Sequence, residues 1–268
     1  MTRSSTRGPR QRRTIAICIA LSASVLAACG SSDDSPPPAL TNVRPAFLGT
    51  VMTATYNGTS DDLLTAGLGW DGLQSATAPT LSAPPTASEL RRRAIYNNYR
   101  ALVDPTTAGG YGVLYGPNVP VEGGAPNAAP GAGKIAGTEY LAYSVDATGK
   151  AAATLMVQIP STFNQNAACI VTATSSGSRG VYGAVSAAGE WGLKRGCAVA
   201  YTDKGTGNGA HELDTNTITL INGLTANAAT AGNASLFTAT LTDAQRAAAI
   251  LSTRHRYVRQ KRRHFQRR

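Results

Sequence analysis

The chain has 268 residues, of which 42% are hydrophobic and only 15% charged. This length and apolar content suffice for a sizeable core and exclude a disordered chain, and no segment repeats at the period of a solenoid. The net charge of +10 comes from the two ends, because 14 of the 25 Lys and Arg lie in residues 1–13 and 246–268. Residues 14–245 hold 11 basic and 15 acidic residues, which argues against nucleic acid as a partner.

The N-terminal segment has the pattern of a secretory signal. Basic residues precede an apolar run over 15–28, which ends in Leu-Ala-Ala directly before Cys29. The run is short for a permanent membrane span, and its ending favours a lipoprotein signal over residues 1–28, with lipid attached to the Cys29 sulfur. The alternative is an ordinary signal peptide cut nearby. Residues 29–44 form a polar tether, so we expect an exported protein, extracellular or periplasmic, that meets a membrane only through a lipid anchor.

Export makes the remaining cysteines informative. With Cys29 carrying lipid, Cys169 and Cys197 are available to pair in an oxidising compartment, and the alternative is a pair of buried free thiols. His211 is the only histidine before the C-terminal tail, and no His or Cys cluster has the spacing of metal ligands. The sequence therefore favours a disulfide and predicts no metal site.

Residues 45–133 are predicted to form an irregular N-terminal region with one helix. Thr86 and Glu89 have the spacing of a capping box, and apolar residues recur at near-helical spacing from Leu90 onwards. Three adjacent arginines at 91–93 fit either an acidic ligand or a solvated helix face, and the solvated face is favoured. The stretch 105–133, rich in Gly, Pro and Asn, is typical of a long loop on a surface or beside a site.

Residues 134–251 are predicted to form a partial α/β core that opens with a hairpin. Strand-forming residues over 139–146 and 152–159 flank Ala-Thr-Gly-Lys at 147–150, which is typical of a turn. The two segments are therefore expected to pair as neighbouring antiparallel strands.

A strand–helix–strand unit follows the hairpin. Residues 169–174 and 197–202 are short, continuously apolar runs of the kind found in buried parallel strands. Residues 185–195 between them fit a helix that Gly196 closes. A βαβ unit of this kind in one sheet predicts an open α/β architecture.

The turn after the first of these strands is the main candidate for chemistry. In open α/β sheets, ligands bind beyond the carboxyl ends of the strands. The turn at 175–180 lacks the glycine spacing of a dinucleotide site and the Gly-Lys-Ser/Thr of a P-loop. Ser176, Gly177 and Ser178 suit an oxyanion or substrate loop, in which backbone N–H groups bind a substrate oxygen, and a tight turn without chemistry is the alternative.

No residue of the chain qualifies as a serine nucleophile on its pattern. The elbow motif G-x-S-x-G does not occur, and Ser178 misses it because a serine stands two residues before it. A catalytic serine also needs a base oriented by a carboxylate, and only His211, beside Glu212, is available before the tail. We interpret His211 as a surface-loop residue that makes a backbone hydrogen bond.

Four longer segments resemble the D-(−)-3-hydroxybutyrate oligomer hydrolases. They are residues 90–104 (LRRRAIYNNYRALVD), 109–119 (GGYGVLYGPNV), 170–182 (IVTATSSGSRGVY) and 190–212 (EWGLKRGCAVAYTDKGTGNGAHE). Members of that family are exported bacterial serine esterases that split short 3-hydroxybutyrate esters released from polyhydroxybutyrate. The resemblance implies an α/β-hydrolase-like core, a small-molecule ester substrate and no cofactor.

The chain departs from that family in one respect. Family members are longer, and their nucleophile lies in a Ser-Asn-Gly-Gly-type turn after a later strand, whereas this chain contains no Ser-Asn-Gly. No catalytic residue is therefore carried over, and we expect an incomplete α/β-hydrolase-like sheet that is inactive by itself. The alternative is a non-catalytic exported lipoprotein that binds a small ester or polymer.

The C-terminal end changes composition abruptly. Thr242 to Gln245 fit a helix cap, with a helix expected to run to Leu251. Residues 252–268 contain no Ala, Gly or acidic residue, which favours a shifted reading frame. The alternative is a polybasic arm for nucleic acid or anionic lipid.

Overall fold

The computed structural model describes residues 43–102, 115–145, 152–175, 179–205, 209–231, 235 and 241–251. Residues Arg44–Arg268 belong to one compact unit. In the described stretches, no helix combines the length and apolar character needed to cross a membrane. Cys29, the turn at 147–150 and the tail at 252–268, for which the sequence makes predictions, lie outside the described residues.

A five-stranded mixed sheet forms the centre of this unit. Its strands are β1 (Met52–Tyr56), β2 (Gly137–Val145), β3 (Ala152–Pro160), β4 (Ile170–Thr174) and β5 (Ala198–Thr202). Their order across the sheet is β1-β2-β3-β5-β4. Neighbours are antiparallel except β4 and β5, which run parallel and therefore need a crossover connection. The mixed sheet with its helices confirms an α/β architecture.

Strands β2 and β3 form the predicted antiparallel pair. Gly137 lies opposite Pro160, and Leu141 opposite Met156, in a register that runs the whole length of both strands. Leu141 and Met156 are buried, whereas Tyr140 next to Leu141 is exposed. This alternation is the period of two that places one face of a strand on the core.

Strands β4 and β5 form the predicted parallel pair, but β4 is mostly exposed, with only Ala173 of its five residues buried. Val199 and Tyr201 of β5 are almost completely shielded from solvent. Strand β4 lies at the edge of the sheet, and its Ile170 is 70% exposed. The prediction of burial for residues 169–174 was therefore wrong, because an apolar β-branched run indicates a strand but does not specify what covers it.

The connection from β4 to β5 is helical, but it begins earlier than predicted. It consists of a 3₁₀ turn (Val181–Ala184), a π turn (Val185–Gly189) and the short helix that we label α3 below (Glu190–Leu193). Gly196 ends the segment at a φ of +73°, as expected of a helix C-cap. A Cβ at Gly192 would lie 2.7 Å from the Val199 side chain, so glycine is needed for the helix to lie this close to β5.

A disulfide joins Cys169 and Cys197, the two cysteines that the sequence singles out. Each stands directly before one of the parallel strands, and their Cα atoms are 4.8 Å apart. The Ala198 N–H also donates to the Cys169 carbonyl at 3.0 Å. The crosslink therefore fixes the amino ends of β4 and β5 against each other.

The N-terminal region is more regular than predicted. Residues 45–133 contain the strand β1 and two helices, α1 (Gly69–Gln74) and α2 (Ala87–Leu102), rather than one helix in an irregular segment. Strand β1 was missed because four of its five residues are exposed and carry little hydrophobic pattern. Its conformation follows from pairing with β2, where Thr55 lies opposite Thr138.

Helix α2 begins at the predicted capping box and supplies much of the core. The Thr86 N–H donates to Glu89 Oε2 at 2.7 Å, and the Glu89 N–H donates to Thr86 Oγ1 at 3.2 Å. Hydrogen bonds to the carboxylate, first from the Thr86 N–H and then from Ser82 and the Thr86 hydroxyl, lower the pKa of Glu89 to about 2. One face of α2 packs on side chains from the sheet and the crossover. The core to which α2 contributes includes Leu63, Leu64, Leu73, Tyr96, Tyr99, Met156, Leu193, Val199 and Tyr201.

A small second sheet and a helix follow β5. Strands β6 (His211–Glu212), β7 (Thr217–Thr219) and β8 (Thr225–Asn227) pair antiparallel in sequence order around the buried Ile218. The helix α4 covers residues 243–251 and starts at the predicted cap. The Thr242 N–H donates to Gln245 Oε1 at 2.9 Å, and the Gln245 N–H donates to Thr242 Oγ1 at 3.2 Å.

Candidate functional site at the carboxyl edge of the parallel strands

The parallel pair brings the predicted turn after β4 and the segment after β5 to the same end of the sheet. Thr174 and Thr202 are opposite each other at the carboxyl ends of β4 and β5. The Ser175 N–H then donates to the Thr202 carbonyl at 2.9 Å, which continues the ladder by one residue. Ser176, Gly177 and Ser178 follow directly but lie outside the described residues. Their anchors on both sides, Ser175 and Arg179, are described, and the edge is where open α/β sheets bind ligands.

Ser175 is a residue of this edge that the sequence analysis missed. It is 1% exposed, and its Oγ has no hydrogen-bond partner within the described part of the chain. A Cβ at Gly183 would lie 3.3 Å from the Ser175 Cβ, so the crossover packs closely over it. The sequence did contain a signal for a polar residue at the end of this strand, because Ser175 directly follows the apolar, β-branched run.

Asp203 is the corresponding buried polar residue directly after β5. It is 2% exposed, and its Oδ1 accepts hydrogen bonds from the N–H groups of Thr154 and Gly205, both at 2.9 Å. Asp203 therefore joins the start of the second turn to the neighbouring strand β3. No role for Asp203 was predicted from the sequence, although an acidic residue directly after a buried strand is a recognisable feature.

The turn after the candidate loop is held in place by a hydrogen bond from α2. Asn98 of α2 is buried and donates from Nδ2 to the Arg179 carbonyl at 3.3 Å. Gly180 follows at a φ of +68°, a conformation that favours glycine, and the 3₁₀ turn starts at the next residue. A cavity of about 90 Å³ adjoins this turn, between α2 and residues 221–223.

A buried ionic cluster lies behind this turn and corrects the prediction of a solvated arginine face. Arg91 is 7% exposed; its Nη1 donates to Asp61 Oδ1 at 3.0 Å and its Nη2 to Glu139 Oε2 at 3.1 Å. The neighbouring Arg92 and Arg93 are half-buried and donate to the backbone carbonyls of residues 66 and 79. Since Asp61 and Glu139 balance its charge, Arg91 serves the fold rather than an acidic ligand.

Glu139 is the centre of that cluster. It also accepts a hydrogen bond from Gln158 Nε2 at 2.8 Å and one from the Tyr182 hydroxyl at 2.8 Å. The Tyr201 hydroxyl donates to Gln158 Oε1 at 2.6 Å, which extends the network into β5. Burial, and next the charge of Glu139, raise the pKa values of Tyr182 and Tyr201 well above the usual 10. Both tyrosines therefore remain hydrogen-bond donors and do not act as bases.

His211 does not occupy the position that the sequence analysis gave it. It begins strand β6 and is half-buried, and its Nε2 lies 2.9 Å from Asn216 Oδ1 across the β6–β7 turn. This contact places His211 in a strand pair and not in the surface loop that was predicted. In the described stretches, no group of three or more His, Cys, Asp or Glu is placed to hold a metal ion.

Comparison with known proteins identifies the family. A sequence model of the 3HB-oligomer hydrolase family matches residues 25–268, a range that includes the basic tail. A D-(−)-3-hydroxybutyrate oligomer hydrolase of Azoarcus sp. (strain BH72) is 59% identical over 242 residues, which are 90% of this chain and 34% of the relative. The enzyme of the same name from Paraburkholderia xenovorans (strain LB400) is 60% identical over 233 residues, 85% of this chain and 32% of the relative.

A third relative gives the same result. A D-(−)-3-hydroxybutyrate oligomer hydrolase of Burkholderia vietnamiensis (strain G4 / LMG 22486) is 63% identical over 210 residues, which are 77% of this chain and 30% of the relative. No solved structure matches the chain. The chain spans about a third of the length of the curated relatives it matches. The identities and the extent of the family match show that this chain belongs to the 3HB-oligomer hydrolase family.

Proposed function

We propose that this chain is the N-terminal part of an enzyme that hydrolyses 3-hydroxybutyrate dimers and oligomers to monomers. The observation that carries the proposal is identity of about 60% to three proteins named D-(−)-3-hydroxybutyrate oligomer hydrolase. The substrate is a small-molecule ester. Because the chain spans only about a third of those relatives, the activity belongs to the longer protein and the chain contributes part of its site.

The five-stranded sheet is proposed to be the first part of an α/β-hydrolase-type sheet. Support comes from the order β3-β5-β4, in which the chain passes over one position and returns through a helical crossover. Support also comes from the free outer edge of β4, where Ile170 is 70% exposed. In the longer protein a further strand covers this edge, since an uncovered apolar edge strand promotes association with other chains.

The chemistry proposed for the longer protein is acyl transfer through a serine. The serine oxygen attacks the ester carbonyl, the carbonyl oxygen becomes an oxyanion, and the 3-hydroxyl of the neighbouring unit leaves with a proton. Water then cleaves the acyl-enzyme. The loop at Ser176, Gly177 and Ser178 supplies N–H donors for the oxyanion, and the nucleophile lies outside this chain, which has neither G-x-S-x-G nor Ser-Asn-Gly.

We also propose that the protein is exported and held to a membrane by lipid on Cys29. The support is the basic start, the apolar run over 15–28 and the Leu-Ala-Ala-Cys ending. In a bacterial host fed radiolabelled palmitate, the wild-type chain should be labelled and Cys29→Ser should not. Equal labelling of both chains, or of neither, would contradict the anchor.

A hybrid enzyme tests the proposed hydrolysis. In this hybrid, residues 43–251 of the chain replace the aligned residues of the Azoarcus sp. (strain BH72) relative. The hybrid should hydrolyse the 3-hydroxybutyrate dimer at a rate within about tenfold of the parent, because the loop and its anchors come from a close relative. Purified residues 29–268 alone should give no burst of product. A burst from the chain alone would contradict the missing nucleophile, and saturable binding without turnover by the hybrid would favour a non-catalytic binding protein.

A further inference from the structure

A second cavity lies at the amino end of β5, whereas the candidate loop lies beyond the carboxyl ends of β4 and β5. Its volume is about 510 Å³, within the size range of small-molecule sites. It is bordered by Ser161 and Thr162, which follow β3, and by Lys194, which follows α3 and precedes β5. Because β3 and β5 are antiparallel, these residues meet at the amino end of β5.

The charged side chains that line this cavity are basic. Lys134 and Lys194 both line it, and no acidic residue does so among the described residues. Lys194 is only 13% exposed, and its Nζ donates to the Gly116 carbonyl at 2.9 Å and to Glu190 Oε1 at 3.3 Å. Lys134 Nζ donates to the Thr59 carbonyl at 2.7 Å. These contacts hold both ammonium groups in place and leave N–H donors for an anion, since each group has three.

Much of the remaining wall is apolar, and hydrogen bonds fix its position. The hydrocarbon side chains on the cavity are Pro117, Val119, Pro120, Val121, Ile135 and Leu193. Two hydrogen bonds with Asn127 fix the segment containing Asn118. Asn118 Nδ2 donates to the Asn127 carbonyl at 3.0 Å, and the Asn127 N–H donates to the Asn118 carbonyl at 2.9 Å. Asn118 is 4% exposed, and its Oδ1 has no partner within the described residues. It adds an uncommitted polar group to the wall.

We propose that this cavity binds a short-chain carboxylate such as 3-hydroxybutyrate, with the carboxylate on Lys194 and Lys134 and the hydrocarbon part on the apolar wall. A carboxylate fits better than phosphate because the site offers two separate ammonium groups and no arginine fork, next to hydrocarbon. The identity of the ligand rests on the proposed function, whose hydrolysis releases this hydroxy acid. The cavity is thus a site for the product, or for the acidic end of an oligomer.

Binding is measured by titration calorimetry of D-(−)-3-hydroxybutyrate into the full chain and into the hybrid, with folding of each variant checked by circular dichroism. Lys194→Gln should weaken binding by about tenfold or more, since it removes a partly buried cation. Val121→Asp places a negative charge at the wall and should weaken binding similarly, whereas the neutral Val121→Asn should stay within about twofold of the wild type. Arg44→Gln removes an exposed cation that does not line the cavity and should leave the dissociation constant unchanged.

Two results would overturn the inference. The first is no saturable binding of 3-hydroxybutyrate or butyrate to either folded protein. The second is binding that Lys194→Gln and Val121→Asp leave unchanged. Inorganic phosphate binding tighter than butyrate would refute the hydrocarbon part of the site. Hydrolysis by the hybrid without binding at this cavity refutes this inference alone, and binding with an inert hybrid refutes the proposed function alone.

Discussion

The surroundings of the three adjacent arginines on α2 differ although their sequence context is nearly the same. Arg91 is enclosed by Asp61, Glu139 and the Tyr56 ring, whose centroid is 4.0 Å from the guanidinium carbon. Arg92 donates instead to a backbone carbonyl on a half-buried surface. The sequence did not distinguish them, because the carboxylate partners of Arg91 lie 30 and 48 residues away along the chain.

Removing Arg91 should therefore be costly. Arg91→Ala leaves Glu139 buried beside Gln158 and Tyr182 without its cation, and we expect a loss of about 3–5 kcal/mol in the free energy of unfolding. The matched Arg92→Ala should cost about 1 kcal/mol, since it removes a hydrogen bond to one carbonyl. Urea unfolding followed by circular dichroism compares the two variants. Equal losses would show that the ionic cluster does not stabilise the fold.

Glu190 should make stability depend on pH. Burial raises its pKa from the ordinary 4.5 to about 7, although the Lys194 ammonium and a hydrogen bond from the Gly116 backbone act in the opposite direction. Because the folded state binds the proton more tightly than the unfolded state, stability is full below about pH 4.5 and falls as the pH rises through 7. The fall should amount to about 3 kcal/mol.

The glutamine variant isolates this effect. Glu190→Gln should remove the decline between pH 5 and 8 in urea unfolding curves, and Glu122→Gln, in an exposed loop, should keep the wild-type slope. An unchanged slope in Glu190→Gln would mean that Glu190 is not the group responsible. The sequence did not reveal this residue, since its burial results from the packing of α3 against the segment at 115–121.

At the scale of elements, the sequence predicted the helix caps and the pairing of neighbouring strands, which depend on residues close together in the chain. The capping boxes at Thr86 and Thr242, the β2–β3 pair and the parallel pair β4–β5 all follow from short sequence patterns. Strand β1 and the exposure of β4 were not predicted. Both depend on which other strands lie alongside, and this information is absent from a five-residue segment.

The disulfide should stabilise the crossover more than any single hydrogen bond in it. Cys169 and Cys197 are 28 residues apart, and a loop of that length corresponds to a contribution of about 3–4 kcal/mol from the restricted unfolded chain. Cys169→Ser with Cys197→Ser should lower the free energy of unfolding measured in urea by that amount, and the urea midpoint should fall accordingly. The wild type treated with dithiothreitol should unfold like the double variant, and identical midpoints with and without reductant would contradict a stabilising crosslink.

For the whole molecule, the position of the candidate loop and the family membership could be predicted from the sequence, but the buried cluster and the cavity could not. The βαβ unit predicted from sequence places Ser175 and Asp203 at one edge, with Ser176, Gly177 and Ser178 between described anchors. The buried cluster and the cavity at Lys194 were not predictable, because each assembles residues from three or more separated segments. The family membership, in contrast, could be predicted because it depends on continuous segments of the sequence.

The most direct test of the proposed site is the effect of one loop substitution on hydrolysis of the 3-hydroxybutyrate dimer by the hybrid enzyme. Under the proposed chemistry, the substrate oxygen is bound by backbone N–H groups of this loop, so kcat of Gly177→Val should fall by about 10²-fold with a much smaller change in KM. Ala125→Val is the control, because it introduces the same branched side chain in an exposed loop, and its kcat should stay near that of the hybrid. Equal kcat values for both variants would contradict a catalytic role for this edge of the sheet.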